Sequence, residues 1–565
     1  MSYIVNAVEM RCADETTITH FGVPQLVLME RAALAARDFI LRQWPQLSAG
    51  GARILIAVGN GNNGGDGAAL ARLFYLQGHR VTVLVSGNAE KYSSALKSQM
   101  EILERYRSEA EKRESADGRR ALYIVTDVLW QAKDGQERED YDLVVDALFG
   151  IGLSRPVDGL YREKIQYLNR LSGRKAALDI PSGISAQDGR ILGVSFRADL
   201  TVTFGFLKTG MLLYPGRELC GGIKVAEIGI TAESFLGRYP AGITFDRGDR
   251  GQKERLSAFL HREKNSHKGS YGKVLLFAGS AGAPGAALLA GKAVLKSGAG
   301  MLQLVSSAEN RELTVSMLPE AMYQAVSEHT VWENLLDWCD VVVIGPGLGQ
   351  DKAACDAMEK ILMLVSEEGA QKPIILDADG LNLAAASEKL SGQIKTYTAS
   401  GGIVIMTPHM AEFARLSQCT VGELSAERMK KTEDYVRESG VILVSKDAAT
   451  VVCYADEAKH FHYYINQTGN NGMATAGCGD VLAGIVGAFA ALAAVRLRTG
   501  EERYSSGEGS AKAAYFEAVC LAVCLHGLAG DRAAGRLGEV SMTAGDIVRM
   551  LPGLFLEYTG GDGGE

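Results

Sequence analysis

Residues 53–67 read RILIAVGNGNNGGDG, a β-favouring run followed by a loop whose first six letters, Gly59-Asn60-Gly61-Asn62-Asn63-Gly64, spell G-x-G-x-x-G. A strand that feeds a glycine-rich loop and then a helix points backbone N–H groups at a common spot, a ready site for phosphate. The pattern predicts a doubly wound, dinucleotide-type α/β fold. Such folds place Asp or Glu at the end of the second strand to hold the ribose hydroxyls. Here that strand ends VTVLVSGNAE, with Ser86 and Gly87 where the acid is expected. The loop also continues with Gly65-Asp66-Gly67, a denser polar cluster than phosphate cradling requires.

Outward from this stretch, VTVLV (81–85), DLVVDAL (142–148), AALDI (176–180) and LTVTF (200–204) are too apolar for half-exposed strands and suit a parallel sheet covered on both faces. LVLMERAALAARDFILRQW (26–44) has helical periodicity, and the charged stretch 101–140 predicts exposed helix and loop. The polar stretch 231–268 carries little β signal and marks a domain boundary. A second α/β series follows: KVLLFAG (273–279), MLQLV (301–305), DVVVIGPG (340–347), PIILDAD (373–379), GIVIMTPH (402–409), VILVSKD (441–447) and TVVCYA (450–455). Two domains, 1–235 and 245–565, fit a chain of 565 residues, because single cores stop growing near roughly 250–300 residues.

A net charge of -8 with no basic stripe argues against nucleic-acid binding. The N-terminus carries acids early and lacks the apolar core of a signal peptide. VLAGIVGAFAALAAV (481–495) falls short of a membrane span and predicts a buried helix. Nine cysteines lie scattered without paired ligand spacing, Cys520 and Cys524 among them as core packing, so a reducing, cytoplasmic setting is expected.

Strand ends carry the chemistry. Asp146 ends one strand and is followed by a glycine-rich loop through Pro156; Asp179 and Ser182 follow the next; Lys208 follows the strand after that. Asn63, Asp146 and Ser182 are oxygen donors suited to a hard, weakly held cation. In NQTGNNGMATAGCGDVLAGI (466–485), Ala476, Gly477, Cys478 and Gly479 precede an apolar helix with Asp480 one residue inside it. A carboxylate beside converging N–H groups fits a general base acting on a hydroxyl while phosphoryl charge develops. Lys446 and Thr450 suit nucleotide phosphates. His409 and Glu412 open a predicted helix, and His526 reads as a core histidine.

The ordered set LMERA, NNGGDG, VVDALFGIG, LDIPSG and FGFLKTGMLLYPG resembles the YjeF N-terminal family of NAD(P)H-hydrate epimerases over residues 1–233. That resemblance implies binding of the hydrated cofactor by Asn62, Asn63, Gly64, Gly65 and Asp66 and by Gly150, Ile151, Gly152, Leu153, Ser154, Arg155 and Pro156. It implies potassium on Asn63, Asp146 and Ser182, and Asp179 beside the reacting carbon. Asn60 and Thr209 stand where the family commonly has proline. GAALLAGKAVLKSGAG, MLPEAM, GPGLG, DADGLN, TPHMAEF, NQTGNNGMATAGCGD and LHGLAGD resemble the ribokinase-like ADP/ATP-dependent NAD(P)H-hydrate dehydratases over residues 250–555. This implies nucleotide binding by Lys446, Asp447, Ala448, Ala449, Thr450 and Gly479, and a hydrate site lined by Ala286, Gly347, His409 and Asp480. Magnesium, ADP or ATP as co-substrate with ADP favoured, and a homo-oligomer (tetramer or octamer) are further implications. Asp447 replaces the family's usual glycine, an added carboxylate that suits phosphate binding only if it faces solvent or binds magnesium. The expected fold is a Rossmann-like α/β/α sandwich joined to a ribokinase-like α/β domain, and the expected reaction is epimerisation and dehydration of NADHX and NADPHX. A ribokinase-type small-molecule kinase fused to a nucleotide-binding or nucleotide-sensing module is the alternative.

Overall fold

The structure is a computed structural model that describes residues 2–113, 121–127, 130, 140–245, 250–367, 371–500 and 510–559. The chain divides into two compact units, Tyr3–Pro240 and Ala241–Glu565.

The main sheet of the first unit has seven strands, β1 (Arg53–Val58), β2 (Arg80–Val85), β3 (Ala121–Val125), β4 (Leu143–Ala147), β5 (Arg174–Leu178), β6 (Leu200–Phe204) and β7 (Gly222–Ala226). They pair in parallel in the order β3-β2-β1-β4-β5-β6-β7. The direction of winding reverses between β1 and β4, and ligands of open α/β sheets bind in the crevice outside that point. Helices α1 (Ala7–Thr19), α2 (Gln25–Gln43) and α3 (Asn62–Leu76) bury Met10, Ala32, Leu70 and Phe74 in one core. Helix α4 (Gly159–Arg170) supplies Ile165 and Leu168 to a separate core with Leu55 and Val144. With both sheet faces covered, the inner strands β1, β4, β5 and β6 are buried through most of their length, while the edge strands β3 and β7 are partly exposed.

Helix α3 starts at Asn62 with Gly61 as its N-cap, so NNGGDG is the helix's opening rather than a loop. Its approach to the sheet is fixed by backbone contact. A Cβ on Gly59 would lie 1.9 Å from the Leu148 carbonyl oxygen, and one on Gly64 would lie 2.0 Å from the Gly59 carbonyl oxygen. Gly61, by contrast, has nothing within 4 Å of that position.

The second unit holds β8 (Gly242–Thr244), β9 (Lys273–Phe277), β10 (Met301–Ser306), β11 (Met322–Ala325), β12 (Val341–Ile344), β13 (Ile374–Leu376), β14 (Val404–Met406), β15 (Ile442–Ser445), β16 (Val451–Ala455) and β17 (Phe461–Ile465). Their order is β11-β10-β9-β12-β13-β14-β15-β16-β17-β8. Pairing is parallel except for the antiparallel β15-β16-β17 meander. Helix α5 (Pro284–Lys296) packs on α7 (Cys478–Thr499), which packs on α8 (Ala511–Leu537); α6 (Met410–Leu416) follows β14. Helices α7 and α8 are long and apolar enough to cross a membrane by composition, and most of each lies buried inside the unit.

Two expectations need correction, and a third holds with wider limits. Residues 101–140 contain β3, a five-residue run hidden by charged flanks; residues 114–120, 128–129 and 131–139 lie outside the described residues. The boundary stretch 231–268 contains β8 and a helix, Arg250–Leu260. Three strand residues are too few to show a period. The buried helix read at 481–495 extends over Cys478–Thr499.

The contrast between the two glycines is testable. Gly59→Ala should cost about 3 kcal/mol of unfolding free energy through overpacking against backbone, and Gly61→Ala should change it little, as read by urea denaturation.

Candidate functional site

At the switch point of the first unit lies a cavity of about 720 Å3. Asn62, Asn63, Asp66, Asp179 and residues 150–156 line it. Gly64 and Gly65 do not; Gly64 stacks beneath Gly59, and a Cβ on Gly65 would lie 2.5 Å from Met29 Cε. Asp146 and Ser182 sit behind the wall in a fully buried knot. Ser182 donates from its backbone N to Asp146 Oδ2 at 2.7 Å and from Oγ to Asp146 Oδ1 at 2.7 Å. Ser182 Oγ accepts from Phe149 N at 2.8 Å, and Asn63 Nδ2 donates to the Phe149 carbonyl at 2.9 Å. Asn63 Oδ1 is left buried with no partner. Burial drives the Asp146 carboxyl up to about 6, opposed by its bonds from Ser182 and Leu148. An unpartnered amide oxygen beside a hydroxyl, a carbonyl and a carboxylate forms an oxygen donor set for a hard cation. The Phe149 carbonyl escaped the sequence because backbone oxygens have no letter.

Asp179 occupies the left-handed region at φ 63° directly after β5. Lys208 Nζ, wholly buried, donates to Asp179 Oδ1 at 2.6 Å, to Thr203 Oγ1 at 2.8 Å and to the Phe204 carbonyl at 2.8 Å. Asp66 is pushed well above the usual carboxylate range, first by burial, then by the charges of Asp179 and Asp14. Asp14, on α1, is raised by burial and by Asp179, and it lines the same cavity. Sequence reading missed Asp14, a lone acid on an ordinary helix face. Asn60 accepts from Tyr161 Oη at 2.5 Å, which fixes the loop at its proline-replacing position.

In the second unit the helix α7 begins at Cys478, not after Gly479; Gly477, at φ 89°, caps it and Asp480 is its third residue. The first turn faces a buried ion pair. Lys446 Nζ lies 2.8 Å from Asp377 Oδ1, which also accepts from Thr407 Oγ1 at 2.7 Å. A Cβ on Gly479 would stand 3.3 Å from Lys446 Nζ, so glycine leaves the ammonium accessible to an anion on the helix N-terminus. Burial, then the charge of Asp377, raises the Asp480 carboxyl to about 6, while Lys446 pulls it down. Asp377 opens the DADGLN motif, to which the sequence assigns no role, though its position after β13 repeats that of Asp179 after β5.

Gly347, at φ 59°, packs on Ala286: a Cβ there would lie 2.8 Å from Ala286 Cβ. His409 caps α6, its Nδ1 accepting from Ala411 N at 3.1 Å, while His409 N donates to Glu412 Oε2 at 2.9 Å. Its main chain bridges that of Lys446. Burial, then Lys446 and Arg415, lowers the His409 pKa. The turn from β15 to β16 carries Asp447, Ala448, Ala449 and Thr450. Asp447 does not stand free: Arg428 Nη1 holds it at 3.0 Å. His526 is buried on α8 and held down to about 4 by burial first, then by Lys446.

Fold and sites together define a two-domain α/β enzyme, Rossmann-like in the first unit and ribokinase-like in the second. Residues 25–210 match the family model for the YjeF-related protein N-terminus, and residues 274–553 match that for NAD(P)H-hydrate dehydratase. The bifunctional NAD(P)H-hydrate repair enzyme Nnr of Moorella thermoacetica is 34% identical over 561 residues, covering 97% of this chain and 96% of that protein. The enzyme of the same name from Escherichia coli is 31% identical over 545 residues, covering 96% and 92%. The solved ADP/ATP-dependent NAD(P)H-hydrate dehydratase of Bacillus subtilis, co-crystallised with ATP and magnesium, is 29% identical, covers 54% of this chain and 97% of its own, and has a TM-score of 0.43. This chain belongs to the family of bifunctional NAD(P)H-hydrate repair enzymes.

The environment of Asp480 predicts a carboxyl titration midpoint near pH 6. Lys446→Met removes the favourable charge and should move that midpoint upward in a carbon-13 NMR titration; an unmoved midpoint would refute the coupling.

Proposed function

We propose that this chain returns hydrated nicotinamide cofactors to service, its first domain interconverting the R and S hydrates and its second dehydrating the S form at the expense of a nucleotide. The observation that carries the reading is that each domain holds, at the carboxyl ends of parallel strands, a lysine-paired aspartate beside a second carboxylate of raised pKa.

In the first domain Asp179 takes the proton of the hydroxyl on ring carbon 6 as the bond from that carbon to the ring nitrogen opens. Asp66, whose proton affinity burial raises well above the usual carboxylate range, supplies the proton that the nitrogen's electron pair then takes. Rotation about the freed aldehyde carbon and reversal of both transfers closes the ring on the other face. Asn63, Asp146 and Ser182, with the Phe149 carbonyl, are the residues to hold potassium, whose charge would steady the cofactor's phosphates. The orphaned Asn63 Oδ1 supports this assignment. Residues 150–156 shape the wall against which the cofactor lies.

In the second domain hydroxide is too poor a leaving group, so the hydroxyl is first phosphorylated. Asp480 accepts its proton while Lys446 and the N–H groups opening α7 stabilise the charge on the transferred phosphoryl group. Phosphate then departs with the electrons of its carbon–oxygen bond, and the ring nitrogen's lone pair drives it out. Lys446, Ala448, Ala449, Thr450 and Gly479 make up the nucleotide site, with Asp447 neutralised by Arg428. Ala286, Gly347 and His409 border the hydrate. ADP, yielding AMP, is the favoured donor, with magnesium on its phosphates. The nine free cysteines fit a cytoplasmic enzyme, and a tetramer or octamer is expected by light scattering.

Two substitutions separate the activities. Asp480→Asn should lower nucleotide-dependent recovery of dihydronicotinamide absorbance by about a thousandfold or more, on the scale of losing a general base, and spare epimer exchange. Asp179→Asn should do the reverse. Equal loss of both activities in either variant would sink the assignment, and a stable phosphoester product in place of inorganic phosphate would favour the kinase alternative.

A further inference from the structure

The end of β2 is where doubly wound dinucleotide folds read the ribose 2′ position: an acid there bonds a 2′-hydroxyl, a cation accommodates a 2′-phosphate. In this chain the position is Ser86, 1% exposed, and its hydroxyl is taken by Lys164 Nζ at 2.7 Å. Lys164 is itself wholly buried and ion-paired to Asp127. Asp127 is the one carboxylate close to this strand end among the described contacts, and its other oxygen accepts from Gly87 N at 2.9 Å. Both of its oxygens are therefore engaged, so Asp127 does not stand ready for a ribose hydroxyl.

The connection that follows turns back toward the cavity. Ser93 N donates to the Asn60 carbonyl at 2.9 Å, tying this segment to the glycine-rich turn. Lys91 and Ser93 both line the same cavity as Asn62 and Asp66. Neighbouring Glu90 is occupied with Asn88, which donates to its Oε2 at 3.4 Å. Lys91 enters no ion pair among the described residues. A cation without a counter-ion, at the strand end where the acid is missing, matches a phosphate monoester, which carries between one and two negative charges near neutral pH.

We propose that Lys91, assisted by the Ser93 hydroxyl, forms a 2′-phosphate subsite that makes the epimerase domain prefer the NADPH hydrate over the NADH hydrate. The inference rests on the epimerase reading of the first domain. Lys164 contributes from behind, by holding Asp127 away from the incoming phosphate.

The test uses the full chain in potassium buffer without nucleotide, following exchange of purified R epimers of both hydrates by chromatography. The wild type should show kcat/KM about tenfold higher for the NADPH hydrate, the low end for a hydrogen bond between charged groups. Lys91→Gln should abolish that preference by lowering kcat/KM for the NADPH hydrate alone. Equal losses on both substrates would assign Lys91 to the shared pyrophosphate, and no loss would leave it outside the site; either result overturns the proposal. If the wild type exchanges neither hydrate, the epimerase reading itself fails. Calorimetry with NADP+ and NAD+ then decides the subsite: tighter NADP+ binding that is lost in Lys91→Gln supports it, and equal binding refutes it.

Discussion

In each half of the molecule a lysine ammonium is drawn out of water onto an aspartate at the carboxyl end of a parallel strand. Lys208 is wholly buried on Asp179, and the Lys446–Asp377 pair leaves only 18% and 2% of the two side chains exposed. Removing one partner of such a pair strands a charge in a poor solvent, at a cost of about 3–5 kcal/mol. Further bonds, from Lys208 to Thr203 and from Thr407 to Asp377, complete the coordination. The second carboxylate in each site, Asp66 or Asp480, then finds its nearest cation already engaged and a like charge close by. Burial and that charge raise its proton affinity. The result in each site is a carboxylate of raised proton affinity beside one held by a lysine, an arrangement suited to acid–base chemistry.

The backbone around these pairs is set by contact distance rather than by hydrogen bonding alone. Gly59 and Gly64 let α3 seat against the residues after β4, and Gly347 lets the loop after β12 lie on Ala286. A G-x-G-x-x-G letter pattern therefore reports close packing at Gly59 and Gly64 more than ligand contact. The polar residues between and after them, Asn62, Asn63 and Asp66, face or border the cavity.

Departures from the expected motifs are compensated locally. Asn60 is pinned by Tyr161, and Asp447 is neutralised by the largely buried Arg428, which also bonds the Ser445 carbonyl. In a turn proposed to bind phosphate, a carboxylate is tolerable once a guanidinium cancels its charge.

Most of the architecture was legible in the sequence. RILIAV and LTVTF became β1 and β6 with unchanged limits, because a strand covered on both faces is rich in apolar and β-branched residues and its ends show as polar breaks. Short or edge strands such as β8 and β11 were not legible, since a few half-buried residues leave no pattern. Asp146, Asp179 and Asp480 announced themselves as acids at strand or helix ends. Their company did not: Asp14 reaches Asp66 from α1, Arg428 reaches Asp447 across 19 positions, and Asp377 meets Lys446 across 69. Sequence determines which groups stand at the ends of which elements, because periodicity and turn chemistry are local. Which of them share a low-dielectric cavity, and so which hold a proton, depends on strand order and packing, which only the folded chain decides.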